Sequence, residues 1–301
     1  MGVILVWYSL SKISFQELLQ YFKEANYFYI ILGLFFGLLS HLSRAYRWKF
    51  MIEPMGYKLR MPNSVMAVFA AYLVNYTIPR AGEFVRGSIL TNYEGVPFEK
   101  GFGTIVAERI ADLLVMMLII LITLFLEFEF IYEFFSARFH PLNILLGIAI
   151  LIVLSIVLMT FIKRNTSKFA IKIKSFIRGL IEGATAIFKM EKKWAFIFHT
   201  LFIWAMYVLM FYITTFAIEE TNNLPFTAIL IGFISASFSI AATNGGIGSY
   251  PVAVYIAFSM FSIAKEPSIA FGWIMWSSQT LMIIILGGLS LIYLPIYNRR
   301  K

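Results

Sequence analysis

The sequence is 301 residues long, 60% hydrophobic and only 14% charged, with a mean hydropathy of +0.81. Soluble globular domains are roughly 45 to 50% apolar, so this composition excludes an ordinary water-soluble fold and predicts an integral membrane protein. The net charge of +9 comes from basic residues beside apolar stretches, where they set membrane orientation, so we expect no nucleic-acid partner. The chain has no cysteine and its three histidines lack metal-ligand spacing, so we expect no disulfide, metal or cofactor.

Five apolar stretches are long enough to cross a bilayer, which takes a helix of ~20 residues. They predict an all-α, polytopic membrane protein with about five to six full spans in one membrane domain, residues 1–301. Residues 1–10 are apolar but too short to cross, and we expect them to be part of a truncated first helix. The predicted spans are residues 26–43, 102–126, 141–162, 194–218 and 268–296.

Two further apolar regions, residues 63–93 and 225–263, are each broken near the middle by glycine and proline. The first contains PRAGE at residues 79–83 and the second contains TNGGIGSYP at residues 243–251. Because the arms on either side are short for a full crossing, we predict two re-entrant hairpins. Two full crossings in each region are the alternative, since they leave the sidedness of the other loops unchanged.

The Lys and Arg residues of the short loops predict which side of the membrane each loop faces. Residues 44–60 carry five basic residues, residues 163–193 carry nine, and the chain ends in Arg-Arg-Lys, whereas the loops near residues 127–133 and 219–220 are acidic. We therefore expect the two basic loops and the C-terminus to lie in the cytoplasm. The hairpins then enter from opposite sides, as in transporters with inverted repeats and a site at the midplane.

Two features predict contacts with the membrane interface. Residues 167–190 have apolar side chains at helical spacing and lysines largely elsewhere, which indicates an amphipathic helix on the cytoplasmic surface. A topological anchor is its simpler role, and attraction to anionic lipid is the alternative. Trp48, Trp194 and Tyr293 lie near span ends and are interpreted as interfacial belt residues.

The densest polar cluster in an apolar setting is NYTIPRAGEFVRG at residues 75–87. Pro79 removes a backbone donor and Gly82 relaxes the chain. We therefore predict a partly unwound backbone near Arg80 and a helix that begins near Gly82. A second polar segment, ERIAD, follows at residues 108–112.

The arginines of this region suit a phosphate group, because a guanidinium binds phosphate oxygens as a fork and a helix N-terminus attracts anions. An internal salt-bridge network, in which Glu83 pairs with a nearby arginine, explains the spacing equally well. Arg109 can also pair with Asp112 three residues along a helix. The predicted phosphate ligands are Arg44, Arg47, Arg80 and Arg86, and the predicted cleft or charge-balancing residues are Asn75, Glu83, Glu108, Arg109 and Asp112.

The second broken region has three glycines and no charge at residues 243–251. Glycine permits close backbone approach at a hairpin tip, but this segment can do no acid/base chemistry. It lacks the Lys and Ser/Thr of a Walker A motif, so we expect no ATP site. The predicted backbone-loop residues are Asn244, Gly245, Gly246 and Gly248.

Four motifs resemble, in order, those of the flippase-like membrane domain of lysylphosphatidylglycerol synthase and its stand-alone bacterial and archaeal relatives. They are SRAYRW at 43–48, NYTIPRAGEFVR at 75–86, AERIAD at 107–112 and NGGIG at 244–248. The resemblance covers nearly the whole chain. It implies transbilayer movement of an anionic or modified lipid in a bacterial or archaeal cytoplasmic membrane. It does not extend to the synthase's aminoacyl-transferase half. Many relatives have a proline before the glycine motif and an acid after it, whereas this chain has Thr243-Asn244 and Ser249-Tyr250.

The leading functional hypothesis is a flippase or scramblase, not an enzyme. It would move an anionic or modified phospholipid, or a polyprenyl-phosphate-linked lipid, through a polar cleft between the hairpins without ATP. Its partners would be anionic membrane lipids and a separate lipid-modifying enzyme. One alternative is a non-catalytic membrane partner of a glycosyltransferase or lipid synthase. Another is an embedded enzyme that uses Glu83, Glu108 or Asp112 as general acid or base.

Overall fold

A computed structural model of the chain describes residues 2–11, 13–129 and 190–299, with isolated positions between 132 and 160. Every described element is helical. The chain divides into two compact units, one of Met1–Ile105 with Trp194–Lys301 and the other of Val106–Lys193. The predicted span 141–162 and the predicted amphipathic helix 167–190 lie, apart from isolated positions, outside the described residues.

Ten α-helices are described, and four of them, α3, α6, α7 and α10, are long and apolar enough to cross a membrane. These four confirm the predicted spans at 26–43, 102–126, 194–218 and 268–296. α6 begins in the first unit and continues into the second. The helices are α1 (Gly2–Leu10), α2 (Phe15–Glu24), α3 (Tyr27–Ile52), α4 (Met61–Thr77), α5 (Gly82–Glu94), α6 (Phe98–Leu126), α7 (Lys193–Thr215), α8 (Phe226–Ala242), α9 (Ser249–Ser259) and α10 (Lys265–Asn298).

Both broken regions form helical hairpins. Hairpin 1 consists of α4 and α5 joined by turn 1, residues 78–81, and hairpin 2 consists of α8 and α9 joined by turn 2, residues 243–248. Their helices have 17 and 13 residues in hairpin 1 and 17 and 11 residues in hairpin 2. At ~1.5 Å per residue, even the longest arm spans only about 25 Å, less than the ~30 Å hydrocarbon core.

Hairpin 2 packs along the N-terminal half of α10. Gly272 of α10 lies against α9, since a Cβ there would stand 2.5 Å from the Cα of Pro251. Four residues further along α10, Trp276 Nε1 donates a hydrogen bond of 2.7 Å to the carbonyl oxygen of Gly245 in turn 2. Turn 2 therefore lies beside the middle of α10, and the open end of hairpin 2 faces its N-terminal end.

Hairpin 1 packs along the C-terminal half of α10 and runs the opposite way. Thr280 Oγ1, near the middle of α10, donates to the hydroxyl oxygen of Tyr76 at 3.3 Å, just before turn 1. At the other end, Asn298 Nδ2 donates to Asn63 Oδ1 at 2.9 Å. The two hairpins thus enter from opposite ends of α10 and turn at the same level, which confirms the predicted opposite orientation.

A partly buried polar network, here called the base network, holds the open end of hairpin 1 to the end of α10. Arg60 Nε donates to Glu94 Oε1 at 3.0 Å, which joins the start of α4 to the end of α5. Arg60 Nη2 also donates to Asn298 Oδ1 at 2.8 Å. Asn63 Nδ2 donates to the same Glu94 oxygen at 2.5 Å. Both arms of hairpin 1 are therefore held to α10 by side chains that the sequence analysis did not predict.

Polar contacts also order α2, which packs on α10 and contacts the segment between α7 and α8. Ser14 and Glu17 form a capping box at its start, and their hydrogen bonds lower the pKa of the Glu17 carboxyl. Tyr21 donates its hydroxyl to Glu220 at 3.1 Å. Burial, reinforced by the Glu220 carboxylate, raises the pKa of Tyr21 to about 12.

Candidate functional site

Turn 1 has the unwound backbone that its sequence predicts. Arg80 has φ +61°, in the left-handed region, and α5 begins at Gly82. The Gly82 N–H donates to Asn75 Oδ1 at 2.8 Å, so Asn75 closes the turn by capping the next helix. A Cβ at Gly82 would meet the backbone of Ala71, so this position requires glycine.

Arg80 is exposed and makes no hydrogen bond or ion pair with any residue that the structure describes. A non-glycine residue in the left-handed region costs on the order of 1 to 3 kcal/mol and persists only where its surroundings fix it. Because Arg80 has no ion pair among the described residues, the predicted alternative in which it pairs with Glu83 is not found here. The guanidinium of Arg80 remains available to a ligand.

Turn 2 touches the end of α4, directly before turn 1. Asn244 Nδ2 in turn 2 donates a hydrogen bond of 2.8 Å to the carbonyl oxygen of Tyr76, in the last turn of α4. Gly245 lies against the same tyrosine, since a Cβ there would stand 2.7 Å from its ring. We call this meeting of turn 2 with the end of α4 the turn contact. It places two predicted residues of turn 2, Asn244 and Gly245, against Tyr76, which follows Asn75 and precedes Arg80 by four residues.

The glycines of turn 2 are required by its backbone and its packing. Gly245, Gly246 and Gly248 all have positive φ, between +65° and +78°. A Cβ at Gly248 would also meet the backbone of Val6 in α1. Close backbone approach at the hairpin tip is therefore found at Gly248, whereas Gly245 and Gly246 lie against side chains.

The other three predicted phosphate ligands are buried. Arg44, Arg47 and Arg86 are 3%, 0% and 3% exposed. Arg86 of α5 stacks on Trp48 of α3, with its guanidinium carbon 3.7 Å from the ring centroid. Arg47 Nη1 donates to Thr200 Oγ1 of α7 at 2.8 Å. The structure thus separates the predicted arginines into one exposed residue at a turn and three residues within the helix packing.

The interpretation of Trp48 as an interfacial belt residue is wrong. Its side chain is fully buried, and its indole Nε1 donates to Thr104 Oγ1 of α6 at 2.7 Å. It therefore serves as the flat surface on which Arg86 lies, a cation–π contact that gains strength away from water. Its place inside the motif SRAYRW, directly after Arg47, was the available signal. Trp194 and Tyr293, by contrast, are 75% and 55% exposed.

The acidic residues of ERIAD lie on α6 in the second unit. Glu108 and Asp112 are buried, at 1% and 6% exposure. Arg109 Nη1 lies 3.8 Å from Asp112 Oδ2, which confirms the predicted pairing at three-residue spacing. Among the described residues, no group of three or more His, Asp or Glu side chains is placed to hold a metal ion.

The fold defines the class of protein: an all-helical, multi-pass membrane protein with two opposed hairpins. A sequence profile described as "Lysylphosphatidylglycerol synthase TM region" matches residues 1–288, and the chain belongs to this family. It is also 24% identical, over 287 residues, to the "UPF0104 membrane protein MJ1595" of Methanocaldococcus jannaschii. That match covers 87% of this chain and 82% of the relative. No solved structure matches the chain.

Proposed function

We propose that this protein moves a lipid with a phosphate-bearing, anionic headgroup across the bilayer without ATP. The observation that carries the proposal is the turn contact, where two opposed hairpins meet beside the middle of a membrane-length helix and expose Arg80. Family membership adds a connection to membrane lipids. The lipid could be an anionic or modified phospholipid or a polyprenyl phosphate.

The position of the turn contact along α10 supports re-entrant hairpins. α10 has 34 residues and crosses the bilayer in this proposal, so turns beside its middle lie near the midplane. If each hairpin crossed twice in full, its turn would reach the far surface, and opposed turns would lie ~30 Å apart. A 2.8 Å hydrogen bond between Asn244 and Tyr76 is incompatible with that separation. Hairpin 1 then enters from the cytoplasm, together with the C-terminus, and hairpin 2 from outside.

The chemistry of turn 1 suits a phosphate at this depth. An arginine within a membrane is tolerated where it has a counter-charge or lines a wet cavity. Arg80 offers a two-pronged donor, and the N-terminus of α5, which begins at Gly82, adds a partial positive charge. The acyl or prenyl chains would stay in the lipid beside exposed apolar side chains of α10, such as Leu281 and Ile285.

The buried arginines would act after the headgroup passes the turn contact. Arg44, Arg47 and Arg86 then offer further phosphate positions toward the open end of hairpin 1, reached when the packing around Trp48 opens. Glu83 balances their charge or carries a coupling proton. Movement is passive or coupled to an ion gradient.

The test is translocation by the purified protein in liposomes that contain acyl-labelled fluorescent phosphatidylglycerol. Dithionite bleaches only the outer leaflet, so an active protein exposes the inner-leaflet label as well. Arg80→Gln should slow this exposure at least about tenfold, and Arg80→Lys should not restore the full rate, because a point charge cannot fork a phosphate. Arg299→Gln removes another exposed arginine, away from the turns, and serves as the matched control.

Two results would count against the proposal. Wild-type rates in Arg80→Gln would remove the phosphate role of Arg80. Protection of the inner leaflet by folded wild-type protein, with every lipid offered, would refute transport. That second outcome is the one expected of a non-catalytic partner of a lipid-modifying enzyme.

A further inference from the structure

Hairpin 2 carries three hydroxyl groups where its first helix ends. Ser249 Oγ, at the start of α9, lies 2.9 Å from Ser239 Oγ in the last turn of α8. It also lies 2.9 Å from Thr243 Oγ1, at the start of turn 2. Thr243 Oγ1 donates to the carbonyl oxygen of Ser239 at 2.8 Å. We call these three side chains the hydroxyl cluster, which joins both arms of hairpin 2 beside turn 2.

Each oxygen of the hydroxyl cluster keeps a lone pair that no hydrogen bond uses. Because Thr243 donates its hydrogen to the Ser239 carbonyl, Ser249 donates to Thr243 and Ser239 donates to Ser249. This order uses all three hydrogens but only two of the six lone pairs. No further hydrogen bond from a described residue reaches these oxygens. A cation can therefore bind all three oxygens without breaking a hydrogen bond of the cluster.

The end of α8 adds backbone oxygens to the same part of hairpin 2. No backbone N–H of the described residues donates to the carbonyl oxygen of Ile240, Ala241 or Ala242, and all three residues are exposed. These last carbonyls carry the partial negative charge of the helix C-terminus. In the proposed arrangement turn 2 lies near the membrane midplane, where an unpaired carbonyl is costly unless it faces water or a cation.

The chemistry of these oxygens favours a small monovalent cation. Residues 225–263 contain no charged side chain and no histidine, so every ligand from hairpin 2 is a neutral oxygen. Hard cations prefer oxygen ligands, but Ca²⁺ and Mg²⁺ sites in proteins use carboxylates. Hydroxyl oxygens only 2.9 Å apart form a narrow site, which suits Na⁺ better than the larger K⁺.

We propose that the hydroxyl cluster and the carbonyl end of α8 bind a sodium ion, and that this ion is coupled to lipid movement. The coupling rests on the proposed function, whereas binding of the ion does not. Turn 1 then attracts the phosphate through Arg80 and the N-terminus of α5, and turn 2 attracts the cation through the C-terminus of α8. Broken helices of transporters divide anionic and cationic ligands between their ends in the same way.

The binding test uses the purified protein in detergent and needs no lipid substrate. Sodium chloride replaces choline chloride at constant ionic strength, and the melting temperature is measured at each step. A ligand that binds only the folded protein raises this temperature, so sodium should raise it along a saturating curve. Potassium chloride should need at least about a tenfold higher concentration for the same rise, because the narrow site excludes the larger ion.

Two variants remove ligands from the proposed site. Ser249→Ala deletes the oxygen between the two arms, and Thr243→Val deletes a hydroxyl at similar volume. Each should weaken sodium binding at least about tenfold, since even the outer partners of a metal ion contribute that much to affinity. Ser290→Ala is the matched control, because this hydroxyl donates only to the Leu286 carbonyl of its own helix, at 2.6 Å. It should leave the sodium response unchanged.

The liposome assay, run with sodium or with choline on both sides, tests the coupling. Sodium should speed the movement of fluorescent phosphatidylglycerol at least about tenfold in wild-type protein, and Ser249→Ala should abolish the difference. Equal rates in the two salts would refute the coupling and leave transport standing. Sodium binding without any lipid movement would refute the proposed function and leave the site standing.

Two outcomes would overturn the site itself. A wild-type melting temperature that does not rise with sodium would show that no such ion is bound. An equal response to potassium and sodium would refute the small-cation site. Should either variant not fold, the comparison of sodium, potassium and choline on wild-type protein still decides.

Discussion

Arginines predicted to share one role have different surroundings, and the cause is local. Arg80 lies in a turn whose backbone leaves the helix, so its side chain reaches the surface of the hairpin. Arg47 and Arg86 lie within helices that pack together, so their guanidinium groups are enclosed by aromatic rings and a threonine hydroxyl. Substitution of Arg80 should therefore affect transport without lowering stability, whereas substitution of Arg47 or Arg86 should lower stability as well.

Arg86→Gln should destabilise the protein. The substitution removes a guanidinium that lies 3.7 Å from the Trp48 ring, a contact of about 2 kcal/mol when desolvated. The melting temperature in detergent should fall clearly for Arg86→Gln and stay near the wild-type value for Arg80→Gln. Equal melting temperatures for the two variants would contradict the distinction between a packed and an exposed arginine.

Substitutions of Arg80 and Glu83 together test the salt-bridge interpretation. If Arg80 only balanced Glu83, adding Glu83→Gln to Arg80→Gln should restore translocation. Because Arg80 makes no ion pair with any described residue, we expect the double variant to fold and stay inactive. Recovered translocation would leave charge balance as the role of Arg80.

At the scale of elements, adjacent glycines in α10 offer a matched pair. A Cβ at Gly287 would stand 2.6 Å from Leu73 Cβ and 2.8 Å from the carbonyl oxygen of Phe69, whereas a Cβ at Gly288 would meet nothing within 4 Å. Gly287→Ala should therefore push α4 from α10 and cost on the order of 1 to 3 kcal/mol. Gly288→Ala should be neutral or slightly stabilising, because alanine favours helix.

The measurement is the melting temperature of both variants in the same detergent. A similar loss in both would mean that hairpin 1 does not pack closely on this face of α10. If Gly287→Ala also slows translocation while Gly288→Ala does not, the position of hairpin 1 on α10 matters for transport as well as stability.

The elements were largely predictable because their signals are local. Apolar length marked four described spans, and the glycine and proline of turns 1 and 2 marked both hairpins. The unwound backbone near Arg80 was predicted from Pro79 and Gly82, whereas its positive φ was not. The base network was not predictable, because Arg60 and Asn298 are 238 residues apart in sequence and neither stands out among its polar neighbours.

At the scale of the whole molecule too, features set by residues close in sequence were predictable, and contacts between distant residues were not. Charge counts predicted that the hairpins oppose each other, but no pattern in the sequence indicated that their turns touch. That contact rests on Tyr76 and Trp276, which resemble ordinary aromatic residues of a membrane helix until Asn244 and Gly245 are placed beside them. The residues of the candidate site were predicted from the sequence, but the contact that joins Asn244 to Tyr76 was not.

The last prediction concerns sidedness and uses the cysteine-free chain as background. Cysteines at Glu133 and Asn222 should react with an impermeant thiol reagent added outside intact cells. Cysteines at Lys174 and Arg300 should react only after permeabilisation, because the basic segments stay in the cytoplasm. Labelling of Lys174→Cys from outside would reverse the orientation.

Sidedness alone does not distinguish re-entrant hairpins from full crossings, so the depth of the turns needs its own test. Gly245→Cys with Tyr76→Cys should cross-link under mild oxidation, because a Cβ at Gly245 lies 3.6 Å from Tyr76 Cγ. Gly245→Cys with Tyr57→Cys, at the open end of hairpin 1, should not. With hairpin ends on opposite sides, a cross-link between the turns requires that both stop inside the membrane. Absence of that cross-link in folded protein would favour two full crossings per hairpin and remove the midplane site on which the transport proposal rests.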